Sequence, residues 1–207
     1  MRSWSPTSGA DTTDPAAASL SEVVRAAARG ELPAWSRATP KRREHIARVA
    51  ELLTRWAAAL DLPESDRVRW TAAGWLHDAL RDASEAELRA ILPREFEDMH
   101  PALLHGPAAA HRLAGDADEA ILNAVRYHTL GHPRLDRLGR ALYLADFLEP
   151  GRDFDVEWRA GLAERMPGEL DEVLTEVLAA RMQHLVAARK PIRPETAAFW
   201  SAVVSGG

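Results

Sequence analysis

An all-α fold is predicted by three features of this 207-residue chain. Apolar residues recur at three- and four-residue spacing, no run alternates with period two over a strand's length, and β-branched residues are sparse. The periodic segments are separated by short connections marked by Pro, Gly and Asp, the pattern of helices packed on helices. The length suffices for one well-filled core. Residues 1–18, rich in Ser, Thr, Pro, Asp and Gly, bury too little to order themselves and are read as a flexible tail. Residues 19–205 are read as a single all-α domain.

The first helix starts near Leu20 and stops at Gly30, a residue suited to a C-terminal cap. The second has Thr39 as N-cap and Pro40 in the first helical position, with Ile46, Val49, Leu52, Leu53, Trp56 and Leu60 at helical spacing. The third spans Glu64 to Asp82 with Val68, Ala72, Trp75, Leu76 and Ala79 on one side. Short helices fit "SEAELRAIL", stopped by Pro93, and "GPAAAHRLAG", opened by Pro107 and closed by Gly115. "DADEAILNAVRYH" takes Asp116 or Asp118 as cap and turns Ile121, Leu122 and Val125 inward. "PRLDRLGRALYLADFLEPGRD" carries Leu135, Leu138, Leu142 and Ala145 and breaks at Pro150 and Gly151. "GELDEVLTEVLAARMQHLVAARK" is amphipathic through Leu170, Val173, Leu174, Val177, Leu178 and Leu185, and "PETAAFWSAVV" closes the chain. "FLEPGRDFDVEW", Phe147 to Trp158, is read as a loop.

Composition narrows the function classes. A formal net charge of −5 argues against sequence-blind binding to nucleic acid, which needs a basic surface. Without cysteine there is no disulfide and no thiolate metal site, so any metal must be held by His, Asp or Glu. No apolar run approaches the roughly 18 residues of a membrane span, and the N-terminus lacks the apolar stretch of a signal peptide. The expectation is a cytoplasmic protein with no membrane partner.

Against this background, six titratable residues fall on apolar faces. His45 lies one turn before Val49, and Asp146 lies four residues after Leu142. His77 and Asp78 stand between Leu76 and Ala79; His128 lies seven after Ile121; His105 opens a helix before Gly106-Pro107. A lone inward His is commonly a hydrogen-bonded core residue, and a His-Asp dipeptide is a weak signal. The set changes the balance, because a buried unpaired carboxylate costs several kcal/mol. Imidazoles could serve each carboxylate singly; a divalent cation would serve them all, and becomes the simpler account. His100, His111, His132 and His184 are read as structural or surface residues, and the tryptophans as core rather than base-stacking platforms.

The order His45, His77-Asp78, Asp146 resembles the HD superfamily of metal-dependent phosphohydrolases, whose fold is a helical bundle. "LLHG" (Leu103–Gly106), "AVRYHTLGHP" (Ala124–Pro133) and "YLADFLEPGRDF" (Tyr143–Phe154) are similar to its YqeK-type subgroup, the symmetrical bis(5'-nucleosyl)-tetraphosphatases. The resemblance runs from about Arg42 to Ser201. It implies cleavage of diadenosine tetraphosphate into two ADP with iron, manganese being the second choice and a second metal an open alternative. His45, His77, Asp78 and Asp146 match the family's metal ligands. Arg42, Arg81, His105, His128, Arg152 and Asp153 match positions that contact the nucleotide, with His45 beside them. Arg81 departs from a Lys common in the family, exchanging a point charge for a planar fork suited to two phosphate oxygens.

The residue types suit phosphoanhydride hydrolysis. Mixed His and carboxylate ligation with open positions fits iron or manganese better than a closed zinc site. Arg42, Arg81 and Arg152 can grip a polyphosphate. Asp78, His105 and His128 are the candidates for catalysis, the two imidazoles through phosphate contact and proton donation to the leaving ADP. The competing readings are another HD phosphohydrolase, for a cyclic dinucleotide, an alarmone or a deoxynucleotide, and a non-catalytic nucleotide-binding module. A homodimer is also an open expectation.

Overall fold

The computed structural model describes residues 14–206, over which the backbone forms eleven α-helices and two 3₁₀ turns and no strand. The helices are α1 (Pro15–Ala18), α2 (Glu22–Ala28), α3 (Pro40–Ala59), α4 (Glu64–Leu76), α5 (Glu85–Ile91) and α6 (His105–Arg112). They continue with α7 (Glu119–Tyr127), α8 (Arg137–Leu148), α9 (Val156–Arg165), α10 (Leu170–Ala187) and α11 (Pro194–Val204). The 3₁₀ turns are Arg94–Phe96 and Pro101–Leu103.

Local chemistry sets most boundaries. Thr39 caps α3 by accepting from the Arg42 amide, Asp118 caps α7 and Asp136 caps α8. Ser84 and Glu87 form a reciprocal capping box at α5. The apolar faces then pack into one core, in which Val49, Leu53 and Trp56 of α3 share a cluster with Leu76, Val125, Leu142 and Val177. α4 lies against α2, α3, α7 and α8. At its contact with α3 a Cβ on Gly74 would come within 2.6 Å of the Ala50 Cα, so only glycine allows the approach.

Three features differ from the sequence reading, and one expectation is untested. The tail expectation for residues 1–13 lies outside the described residues. Pro15–Ala18, assigned to that tail, is a helix with Ala17 buried; Asp14 caps it and also accepts from the Ser65 amide at 3.2 Å. The helix from Glu64 ends at Leu76, six residues short of Asp82. Residues 77–82 turn instead, because Ala79 O accepts from Arg37 N at 2.7 Å and Asp82 N donates to Arg37 O at 3.1 Å. The supposed loop of Phe147 to Trp158 contains the end of α8 and the start of α9, and α9 had no counterpart in the sequence reading.

Candidate active site

The turn after α4 is fastened to the start of α3. Asp82 accepts from both the amide and the hydroxyl of Thr39 at 2.8 Å, which places Arg42 over the His77-Asp78 pair. Arg42 donates to Asp78 Oδ2 at 2.9 Å. His45, one turn further along α3, points its Nε2 to within 3.1 Å of Asp146 Oδ1 on α8 and 3.7 Å of Asp78 Oδ2. His77 Nε2 also lies 3.7 Å from Asp78 Oδ2. From the opposite side, His105 at the start of α6 and His128 at the end of α7 bring their Nε2 atoms to 3.2 Å and 3.4 Å from Asp78 Oδ1. Those two nitrogens are 3.2 Å apart, and Thr129 Oγ1 lies within hydrogen-bond range of both.

The imidazoles are fixed from behind. Nδ1 of His77 bonds the Gly74 carbonyl at 2.7 Å, and Nδ1 of His128 bonds the Val125 carbonyl at 2.7 Å. A carbonyl only accepts, so each ring carries its proton on Nδ1 and presents a bare Nε2 when neutral. His45 Nδ1 donates to the buried carboxylate of Glu149 at 3.1 Å. That carboxylate also accepts from Arg48 Nε at 2.5 Å and from the Gly151 amide at 2.7 Å.

The donor set fits a divalent cation. Nε2 of both His45 and His77 is buried with no hydrogen-bond partner among the described residues, although Asp146 stands close to the first, out of line. An orphaned buried nitrogen is costly unless something accepts its lone pair. One atom each from His45, His77 and Asp146 lies within 4.8 Å of the others, and so does one each from His77, Asp78 and His128. Neutral imidazole backed by a carbonyl or carboxylate is the usual form of a metal-binding histidine.

Charge follows from the packing. Burial alone would raise the Asp78 carboxyl, but His77, His105 and His128 hold it well below the usual carboxylate range. Asp146 is likewise pulled well below that range against its burial by His45, His77 and Arg152. Burial pushes the His77 imidazole down to about 4, so it is neutral at pH 7. For His45, burial is outweighed by Asp146 and Glu149, which push it up to about 9.

A cleft of about 640 Å³ opens above these groups, and Arg42, Arg81, His105, His128, Asp146 and Arg152 line it. Arg152 donates to Asp146 Oδ1 at 2.7 Å. Asp153 is exposed and is not among the lining residues; Asp155, in left-handed backbone at φ 44°, is. The far wall comes from α10, through Ala180, Arg181, His184 and Leu185. His184, read as structural or surface, is thus an exposed cleft residue, and Leu185 is half-buried there. Sequence reasoning missed Arg48, Glu149 and Arg181. Glu149 stood inside the quoted "FLEPGRD" string, but a carboxylate just past a helix end gives no sign of burial.

The HD domain family model matches residues 42–151. The chain belongs to the HD domain family. The match reaches from the Arg42 turn of α3 to the loop after α8, and so contains all six clustered residues. A Bacillus subtilis protein named bis(5'-nucleosyl)-tetraphosphatase, symmetrical, is 33% identical over 160 residues, covering 72% of this chain and 84% of the relative. A Staphylococcus aureus protein of the same name is 30% identical over 147 residues, covering 66% and 73%. A solved structure from Clostridium acetobutylicum, described as a predicted HD superfamily hydrolase involved in NAD metabolism, superposes with a TM-score of 0.68. It is 24% identical and covers 81% of this chain and 91% of its own, which shows a common fold.

Proposed function

We infer that this HD domain protein hydrolyses diadenosine tetraphosphate and related dinucleoside polyphosphates symmetrically, giving two nucleoside diphosphates. One observation carries the reading: unpartnered histidine nitrogens and two carboxylates converge at the floor of a cleft whose walls hold arginines. The relatives' names supply the substrate class.

His45, His77, Asp78 and Asp146 would hold the metal, for which we propose iron. A divalent cation there supplies Lewis-acid polarisation of a phosphoryl oxygen and lowers the pKa of water. Arg42, Arg81 and Arg152 bind the polyphosphate, each offering a planar fork to two oxygens. They hold its central anhydride over the carboxylates and offset charge building on the phosphoryl oxygens. Water adds to one of the two central phosphorus atoms, the bridging P–O bond breaks, and the bridging oxygen leaves with the second ADP. His128 and His105, paired through their Nε2 atoms, would deliver a proton to that oxygen. The gathering of His77, Asp78 and His128 favours a second reading, in which His128 ligates a second cation.

No described helix is long and apolar enough to cross a membrane. The cytoplasm as location, the absence of a nucleic-acid partner and a homodimer remain parts of this proposal, the last tested by light scattering. The deciding experiment is product identification on metal-loaded protein. ADP as the sole adenine product is expected; equal AMP and ATP, or a far faster turnover of a cyclic dinucleotide, would overturn the assignment. Elemental analysis of unchelated protein checks for iron.

A further inference from the structure

Large apolar side chains are well covered in this molecule, with one local exception. Five are exposed among the described residues, and three of them, Phe154, Val156 and Trp158, fall within five consecutive positions. Phe154, at 41% exposure, and Trp158, at 38%, both line the cleft over the metal-ligand cluster. Scattered exposed apolar residues need no explanation, but an aromatic cluster on a cleft wall beside cationic groups does.

The segment that carries them is built to be rigid. Arg159 is only 2% exposed. Its guanidinium donates to the carbonyls of Phe147 at 3.0 Å, Glu149 at 2.5 Å, Arg152 at 3.2 Å and Phe154 at 3.3 Å. One buried cation thereby satisfies three carbonyls of the loop between α8 and α9 and one at the end of α8. The same guanidinium lies 4.7 Å from the Phe154 ring centroid. Phe147 supports both aromatics edge-on, at 5.7 Å to Phe154 and 6.2 Å to Trp158. Phe154 is two residues beyond Arg152, so a phosphate-binding cation and an aromatic surface sit on one held loop.

We propose that Phe154 and Trp158 form a stacking platform for one nucleobase of the substrate. The ligand is the nucleoside diphosphate half whose phosphates meet Arg152. A flat ring of any base covers apolar area here while its phosphates remain over the arginines, and the ordered loop keeps the entropy cost of binding low. This reverses the expectation that the tryptophans are all core. The proposal rests on the nucleotide-hydrolase reading above.

The test compares ADP with inorganic pyrophosphate, which has the phosphates and no base, as ligands of the metal-loaded protein by calorimetry. Phe154→Ala and Trp158→Ala should each weaken ADP by roughly ten- to a hundredfold, the scale of a lost base–aromatic stack, and leave pyrophosphate within about twofold. Trp158→Phe should restore most of the ADP affinity. Equal weakening of both ligands, or unchanged ADP affinity in a folded variant, overturns the platform. Should Phe154→Ala fail to fold in a thermal melt, Trp158→Ala decides alone. If the parent protein makes no ADP from diadenosine tetraphosphate while the variants lose ADP selectively, the hydrolase assignment fails and the platform stands. If the parent makes ADP and the variants bind it normally, the reverse holds.

Discussion

Replacing Glu149 by Gln exchanges one oxygen for an NH₂ group behind the proposed metal-ligand cluster, and the structure fixes the consequence. The carboxylate receives three donors, His45 Nδ1 on one oxygen and Arg48 Nε and the Gly151 amide on the other. A carboxamide has one accepting end. Two donors outbid one, so the amide oxygen stays with Arg48 and Gly151 and the NH₂ turns toward His45. Two N–H groups then face each other, and with the carboxylate that helped hold the ring protonated gone, the imidazole sheds its Nδ1 proton and keeps the one on Nε2, the nitrogen aimed at Asp146 and Asp78. Metal binding must reverse that tautomer and restore the clash. Changes of this kind behind a ligand cost about ten- to a hundredfold in metal affinity, or ~1.4–2.7 kcal/mol. The assay is titration of metal-free protein with Mn²⁺, following the free ion by electron paramagnetic resonance. Arg48→Met serves as the control, since it removes a contact to the loop but leaves the His45–Glu149 bond. Affinity for Mn²⁺ within twofold of the parent in a folded Glu149→Gln variant, or an equal loss in Arg48→Met, would refute the reasoning.

Three further outcomes are expected. Asp78→Ala removes the carboxylate shared by Arg42, His105 and His128 and should abolish both metal binding and turnover; surviving hydrolysis would place the chemistry elsewhere. His45 is held up to about 9 in the metal-free protein, because Asp146 and Glu149 outweigh its burial, whereas a metal takes the neutral ring. Metal uptake should therefore release a proton below that value, with affinity rising about tenfold per pH unit and levelling beyond it. Calorimetry in two buffers of different ionisation heat counts the proton, and a count of zero contradicts the assignment of His45 as a ligand. In Gly106→Ala the new Cβ would sit 2.9 Å from the Val125 carbonyl oxygen and 3.2 Å from His128 Cε1. Crowding of this order costs about 1–3 kcal/mol, so Tm should fall by roughly 3–10 °C, and an unchanged melt would mean that α6 shifts freely on α7.

Residue order alone determined the helical class, most helix starts and the set of inward polar groups, since each rests on short-range rules. Thr39, Ser84, Asp118 and Asp136 cap their own helices through contacts three residues away, and the apolar stripes need only the 3.6-residue period. His45, His77, Asp78 and Asp146 were legible because a charge on an apolar stripe is costly wherever the helix packs. Tertiary structure decided what depends on partners distant in sequence. α4 ends at Leu76 with no Gly or Pro to stop it, because Arg37, some forty residues earlier, takes up the backbone of Ala79 and Asp82. Glu149 reads as an ordinary residue after a helix, yet it is buried against His45 and Arg48, about a hundred positions away. The segment holding Phe154 and Trp158 gave no periodic signal for its first half, because its order comes from one buried guanidinium bonding four backbone carbonyls. Such bonds draw on main-chain atoms that every residue type shares, and so leave no mark in the sequence.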